Sequence, residues 1–368
     1  MSKFCPAPWI TISTDVNGSI RPCCRYEQPH NQTKYKMPWM KDGSIADLYN
    51  GPEMKALRKA FLSGEQPKEC NWCWKEEAAG ILSFREKYLK REYSYNQDNP
   101  VPQILDLKLS NTCNMKCRMC GPQASSAIGK EQGIVNPYWH SNKILGTENE
   151  YIFFTEWLPS VKELELTGGE PFFSKENKDL IFKISKTEYA KNISIKITTN
   201  GMFYDKRMLD TLTNFKLVQI PMSIDDIGIR LEYARGDSNW DIISKNILNM
   251  KKEYPNFNVS IYRTVNNYNI YYLDELDNWA SENNIIVTNG FLHSPNYLNI
   301  QNLPENVKKE ISNKISNIDV LNFMCSIIST NNYDVLNRFF FENVRLDKIR
   351  NQSFEDVFPE FAELILWN

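Results

Sequence analysis

Cys113-Asn-Met-Lys-Cys117-Arg-Met-Cys120 puts three thiols on one short stretch, directly after a strand-like run, Ile104-Leu-Asp-Leu-Lys-Leu-Ser110. Soft thiolates select zinc, copper(I) or iron–sulfur clusters. Three of them on one loop hold three corners of a 4Fe–4S cube and leave the fourth iron open to an outside ligand. The bland alternatives are a zinc site short of its fourth ligand and three buried structural thiols.

Outward from this loop the chain alternates between two patterns. Strand-like runs fall at 104–110, 161–167, 193–199, 217–223, 257–264 and 285–291, with helical stretches such as 175–190, 239–253 and 271–283 between them. Repeated units of this kind imply a parallel sheet covered by helices, an α/β fold. Active residues in such folds gather where strands end and loops begin. The second strand ends in Thr167-Gly168-Gly169-Glu170-Pro171, the third in Thr198-Thr199-Asn200-Gly201 and the fourth in Met222-Ser223-Ile224-Asp225, followed by Arg235-Gly236. Paired glycines let a backbone approach a ligand, and a carboxylate beside them accepts from an ammonium group. Taken alone, Gly-Gly-Glu is a turn with an exposed acid. Thr264-Val-Asn-Asn267 and His293 follow the fifth and sixth strands, and His293 reads first as a hydrogen-bonded structural residue.

The first hundred residues read as a separate module. Trp9 to Thr14 alternates like a strand, Asn17-Gly18 turns, and Ser19 to Pro22 returns, which brings Cys5 and Cys23 to one end of a hairpin. A helix over 44–62 follows, broken at Pro52, and Cys70-Asn-Trp-Cys73 opens another that runs to Tyr88. Cys5, Cys23, Cys70 and Cys73 make a closed four-thiolate set that suits zinc or 4Fe–4S, with Cys23 favoured over the adjacent Cys24 on spacing. Residues 93–102, polar and carrying Pro100 and Pro102, read as a linker.

These motifs resemble those of the radical S-adenosylmethionine (SAM) enzymes. The first hundred residues resemble the "twitch" half of the SPASM auxiliary-cluster domains, here placed before the barrel. The resemblance implies a partial (β/α)6 TIM-like barrel at 104–292, with a twitch-like 4Fe–4S module at 1–93, a linker at 94–103 and a helical extension at 293–368 that closes the barrel. It implies two 4Fe–4S clusters and SAM. Cys113, Cys117 and Cys120 hold the SAM-binding cluster, and Cys5, Cys23, Cys70 and Cys73 hold the auxiliary one. Met119 packs near adenine, and Gly168, Gly169 and Glu170 take the SAM amino group. Thr199, Asn200, Ser223 and Asp225 reach ribose or substrate. Arg235 suits the SAM carboxylate, with a surface ion pair as its alternative. The implied chemistry is reductive cleavage of SAM to a 5′-deoxyadenosyl radical, which takes a hydrogen atom from a small-molecule or peptide substrate while the auxiliary cluster handles the substrate electron. A reductase or flavodoxin-type protein supplies electrons. The competing reading is a non-catalytic iron–sulfur or zinc scaffold.

The totals agree with a soluble enzyme. Of 368 residues, 42 % are hydrophobic and 24 % charged, with a net charge of −2, which excludes bulk nucleic-acid binding by a basic surface. No apolar run is long enough for a membrane span and no leader is evident, so the cytoplasm is expected, where cysteines are free or ligated. Cys325 reads as a buried small hydrophobe, with a second reading as a hydrogen-atom donor on the barrel side. The apolar spacing of 346–361 suits a terminal helix. The segment 121–160, with Tyr138-Trp-His140, is a lid or packing decoration.

Overall fold

The computed structural model describes residues 3–27, 34–78, 80, 82–91, 93–134, 144–326 and 333–366. Among them ten strands occur: β1 Thr11–Thr14, β2 Ile20–Arg21, β3 Ile104–Lys108, β4 Lys116–Cys117, β5 Glu163–Thr167, β6 Ser194–Ile197, β7 Leu217–Ser223, β8 Arg235–Gly236, β9 Asn258–Val265 and β10 Val287–Phe291. The six expected strands coincide with β3, β5, β6, β7, β9 and β10, and the three expected helices with Lys175–Ser185, Trp240–Glu253 and Leu273–Glu282. The fold is α/β, as the alternation predicts. It divides into two compact units, one of residues 1–113, 122–198 and 205–219, the other of residues 114–121, 199–204 and 220–368.

In the first unit β1 pairs in parallel with β3, so the N-terminal segment shares a sheet with the strand that leads to the cysteine loop. The order continues through β5 and β6 to the first residues of β7, all parallel, while β2 returns antiparallel on β1. The registers set two kinds of row across this sheet. Ile12, Leu105, Leu164, Ile195 and Val218 form an apolar row, each opposite the next and each buried. Residues one step along point to the other face, and there Ser13, Asp106, Glu165, Lys196 and Gln219 form a polar row. Leu180, Ile181 and Ile184 of the helix Lys175–Ser185 are fully buried, and that helix starts on Ser174, whose hydroxyl accepts from the Asn177 amide.

The N-terminal segment differs from expectation in two places. Trp9 and Ile10 belong to a helical turn, Ala7–Ile10, because Pro8 near its start presets a helical φ; β1 begins at Thr11. The helix expected from Cys70 to Tyr88 is two helices, Asn71–Ala78 and Phe84–Leu89, parted at Gly80 (φ 73°) and restarted by a Ser83–Glu86 capping box. The break at Pro52 is found, between Ile45–Tyr49 and Pro52–Leu62. Within 121–160 the helices Ser126–Glu131 and Glu148–Ile152 form; Tyr138, Trp139 and His140 lie outside the described residues.

In the second unit the end of β7, β9 and β10 lie side by side, β9 and β10 parallel with Ile261 opposite Val287. The C-terminal helices Tyr333–Arg350, Phe354–Val357 and Pro359–Leu366 deliver Phe339, Phe354, Phe358 and Phe361 to a core shared with Tyr233 and Tyr268. Tyr233 and Phe358 meet edge to face at 5.2 Å, a favoured aromatic geometry. The expected terminal helix is therefore a cluster of three whose rings build much of this unit's core. Cys325 corrects the expectation of burial: it ends the helix Ile318–Cys325 and is exposed, since the apolar face of that helix is carried by Val320 and Met324. His293 sits edge-on to Phe323 at 5.4 Å. Among the described residues no helix is long and apolar enough to cross a membrane.

Candidate functional site

Four cysteines from distant positions meet in the first unit. Cys5, Cys23, Cys70 and Cys73 line one space together with Arg25, Phe61, Trp74, Phe84, Arg85 and Tyr88. Cys5, Cys23 and Cys73 are buried. Burial pushes the Cys5 thiol up to about 12, and the thiols of Cys23, Cys70 and Cys73 upward as well. Neighbouring thiols add to the rise at Cys5, Cys23 and Cys70. A group of sulfurs this buried resists ionisation unless a cation shares the space. Among the described residues no three cysteine, histidine or acidic side chains close on a single metal ion. Four thiols on one lining, with no carboxylate or imidazole among its described residues, are a donor set that a 4Fe–4S cluster takes. Arg85 and Arg25 stand at its wall; Arg85 is held by Glu77 at 2.7 Å and donates to the Phe4 carbonyl at 2.8 Å. The residues therefore fit the implied cluster.

Cys24 is not on that space. Its thiol, pushed up to about 12 by burial first, then feels Asp106 and Glu165 of the polar row, with Lys108 and Arg25 acting in the opposite sense. Both residues lie in the turn after β2, which sets Cys23 with the other three cysteines and leaves Cys24 under the influence of the carboxylates.

The first unit also holds the Gly-Gly-Glu turn and Cys113. Gly168 and Gly169 both have positive φ, 80° and 54°. A Cβ on Gly169 falls 2.4 Å from the Thr112 carbonyl oxygen, and one on Gly168 falls 2.9 Å from Lys108 Cβ. What approaches these glycines is the Lys108–Thr112 segment, and the Glu170 amide donates to the Thr112 carbonyl at 2.9 Å. Glu170 is fully buried and its carboxylate accepts from the Phe172 amide at 3.0 Å. The Cys113 amide donates to Ser126 Oγ at 3.1 Å.

In the second unit β4 and β8 pair, setting Cys117 opposite Arg235. Arg235 is 7 % exposed, so the alternative of a surface ion pair fails. Its Nε donates to Asp225 Oδ2 at 2.8 Å, and its Nη1 lies 4.0 Å from Cys117 Sγ. Asp225 Oδ1 accepts from the Thr264 amide at 2.8 Å, so both of its oxygens are engaged by the protein. The Cys117 thiol is pulled down to about 7, first by its hydrogen bond with Cys120 and then by Arg235, against its burial. A ready thiolate is what a metal ligand requires. Cys120 is exposed, and Met119 packs half-buried on the aromatic core.

The remaining strand-end residues hold backbone. Asn200 Nδ2 donates to Asn114 Oδ1 at 2.8 Å, while its Oδ1 accepts from the Met202 amide. Thr199 Oγ1 accepts from the Gly201 amide, and the Ser223 amide donates to the Thr199 carbonyl at 2.7 Å. Asn269 Oδ1 accepts from the Asn266 amide at 2.9 Å, Asn266 Oδ1 accepts from the Tyr268 amide at 2.9 Å, and Asn269 Nδ2 donates to the Asp225 carbonyl at 3.1 Å; the Thr264–Asn267 stretch is a polar knot beside Asp225. Two contributors escaped the sequence reading. Asn114 carries no signal beyond its place after Cys113. Arg118, fully buried, donates to the Tyr233 carbonyl at 3.0 Å and to Gln352 at 2.9 Å, pairs with Asp347 and stacks on Tyr233 at 3.5 Å.

Comparison with known proteins agrees with this chemistry. The model of the "Radical SAM superfamily" matches residues 107–280, and that of the SPASM "Iron-sulfur cluster-binding domain" matches residues 5–74. GTP 3′,8-cyclase of Aquifex aeolicus is 32 % identical over 128 residues, 34 % of this chain and 36 % of that protein. Human molybdenum cofactor biosynthesis protein 1 is 27 % identical over 157 residues, 42 % of this chain and 21 % of that protein. The chain thus spans about a third or less of the length of these relatives. Among solved structures, native anSMEcpe with bound AdoMet is similar at 16 % identity and a TM-score of 0.42, over 67 % of this chain and 66 % of that one. Parallel strands alternating with helices fit the partial TIM-like barrel of the matched superfamily. The chain carries a radical SAM domain over residues 107–280 and a SPASM-type iron–sulfur module over residues 5–74, whose cofactors are S-adenosylmethionine and two 4Fe–4S clusters.

Proposed function

We propose that this radical SAM enzyme removes a hydrogen atom from a small-molecule or peptide substrate and passes the substrate electron to a cluster held by Cys5, Cys23, Cys70 and Cys73. The observation that carries the reading is the gathering of those four thiols around one space, which leaves no iron of the auxiliary cluster open and favours electron transfer over substrate ligation. When bound, the other cluster, on Cys113, Cys117 and Cys120, supplies the electron that cleaves SAM to a 5′-deoxyadenosyl radical.

The chain's own residues bind and orient. Glu170 offers its carboxylate to the SAM ammonium, Met119 an apolar wall to adenine, and Thr199, Asn200 and Ser223 small polar groups to ribose or substrate. Arg235 is committed to Asp225 and Cys117, and its role in this reading is to hold the Cys117 thiolate in place, with Asp225 fixing the guanidinium. Gly168 and Gly169 let the turn close on the segment before Cys113. Cys325, exposed, is the weaker of the two spare thiols as a hydrogen-atom donor. Residues 1–93 serve as the auxiliary module, 94–103 as linker, 104–292 as catalytic barrel and 293–368 as the extension that closes it. A cytoplasmic flavodoxin or reductase is the electron source.

The relatives named GTP 3′,8-cyclase supply a second reading, a purine nucleotide substrate. The first reading is tested by replacing Cys70 and Cys73 together with alanine. Iron should fall to about half, SAM cleavage should persist uncoupled, and product formation should stop. A soluble double variant that makes normal product restricts the second site to a structural role.

A further inference from the structure

The polar row of the first unit has no part in holding either cluster, and its composition calls for a ligand. From β2 to β7 it reads Arg21, Ser13, Asp106, Glu165, Lys196 and Gln219, each directly opposite the next. Asp106 and Glu165 therefore face each other across neighbouring parallel strands about 4.8 Å apart. Like charges placed directly opposite destabilise a sheet, and Asp106 is only 7 % exposed. Ser13 Oγ donates to Asp106 Oδ2 at 2.7 Å. The bases around the pair offset it only in part. Arg21 is held by Asp15 at 3.0 Å, Lys196 lies 3.4 Å from Glu165 with 39 % of its side chain exposed, and Lys108 stands one turn of the pleat beyond Asp106. Burial and Glu165 both push the Asp106 carboxyl upward, against Lys108 and the Ser13 bond.

The same face carries polar atoms without partners. Thr11 Oγ1, two residues before Ser13, is fully buried and accepts or donates no hydrogen bond. Arg21 Nε and Thr167 Oγ1, also on this face by alternation, are buried and unbonded. The Tyr88 side chain is 6 % exposed, and its hydroxyl is pushed upward first by burial, then by Cys23 and Cys24, and also by Glu165 and Asp106. Buried polar groups in folded proteins are nearly always satisfied, so several orphans on one face mark a place completed by a polar ligand.

We propose that the substrate carries a protonated amine or guanidinium that seats between Asp106 and Glu165, with Ser13, Thr11, Thr167 and Tyr88 bonding its polar surroundings. A cation relieves the like-charge pair, which neither a neutral hydroxyl nor an anion does. The triphosphate of a nucleotide, which brings several negative charges to two carboxylates, is disfavoured at this place. The inference rests on the reading of the chain as a radical SAM enzyme and names the class of its substrate.

The test uses the anaerobically reconstituted, SAM-loaded protein and measures equilibrium binding of agmatine, L-lysinamide, spermidine and GTP. At least one amine should bind saturably, GTP more weakly than that amine, and Asp106→Asn and Glu165→Gln should each weaken the amine at least tenfold. Glu163→Gln is the control, because Glu163 is already engaged by Arg91 at 2.8 Å and Tyr93 at 2.7 Å, and it should leave amine binding as it was. A second readout needs no ligand: Asp106→Asn should melt at a higher temperature than the parent, since it removes the repulsion and its amide oxygen still accepts from Ser13. Absence of saturable amine binding, tighter binding of GTP, or amine binding untouched by both substitutions overturns the proposal. Formation of 5′-deoxyadenosine by the same preparation separates this failure from failure of the enzymatic reading, which only its absence would bring down.

Discussion

Arg118, between two of the cysteines of the loop, is tied to Asp347 of the C-terminal helix Tyr333–Arg350 by a buried ion pair. The guanidinium is fully enclosed and also reaches Gln352, Asn343 and the Tyr233 carbonyl, so the C-terminal extension grips the cysteine loop from a distance of more than two hundred residues in sequence. Removing one partner of a buried pair leaves the other charge unpaired, which costs about 3–5 kcal/mol. Asp347→Ala should lose stability of that order in urea unfolding, and Asp347→Asn less, because the amide oxygen still accepts. A loss below about 1 kcal/mol for Asp347→Ala would show that the remaining partners carry Arg118 alone.

Gly169 and Gly64 make a matched pair for testing the turn before Glu170. Both have positive φ, but a Cβ on Gly64 meets nothing within 4 Å, whereas on Gly169 it lies 2.4 Å from a backbone oxygen. Gly64→Ala should cost about 1–2 kcal/mol from the backbone conformation alone. Gly169→Ala adds a clash that no side chain can relieve and should cost clearly more, read as the difference in unfolding midpoints. Equal losses would mean that the Thr112 segment yields.

The thiols are separable by iron counting. Cys23→Ser should bring reconstituted iron from about eight per chain to about half, while Cys24→Ser and Cys325→Ser should keep it. Retained iron in Cys23→Ser together with loss in Cys24→Ser would exchange the two residues.

Much of this was legible in the sequence, and for identifiable reasons. The six strands appear because Ile104–Lys108 and Val287–Phe291 are bounded by turn residues and spaced by helical patterns, a local signal. The hairpin that joins Cys5 to Cys23 is legible from Asn17-Gly18, whose glycine has a φ of 82°. Long-range pairings were not. Nothing in residues 343–352 announces that Asp347 meets Arg118, since a charge on a terminal helix reads as solvated until its partner is known. Arg235 read equally well as surface or buried for the same reason. The polar row was within reach: Leu-Asp-Leu-Lys and Glu-Leu-Glu-Leu-Thr alternate where a doubly covered parallel strand should be apolar throughout. The helix running into Cys325 shows the limit of composition, because its apolar residues were read without regard to which face they share.

Asp226 gives a pH dependence with a definite sign. Burial pushes its carboxyl up to about 6, although Arg230 pairs with it at 2.9 Å. The folded state then binds the proton more tightly than the unfolded chain, whose carboxyl titrates near 3.9. Its contribution to stability is greatest below about 4 and is lost as pH rises through about 6, a swing of about 3 kcal/mol. Asp226→Asn lacks this dependence, so the stability of the variant relative to the parent should climb between pH 4 and pH 7. A constant difference across that range would place the Asp226 carboxyl at its ordinary value.

The central claim is that Cys113, Cys117 and Cys120 hold the cluster that cleaves SAM. The most direct measurement is formation of 5′-deoxyadenosine from SAM by the anaerobically reconstituted protein under dithionite, with the Cys117→Ala variant alongside. The parent should form 5′-deoxyadenosine and the variant none, with the variant keeping the iron of the auxiliary site. Undiminished 5′-deoxyadenosine from Cys117→Ala would contradict the account.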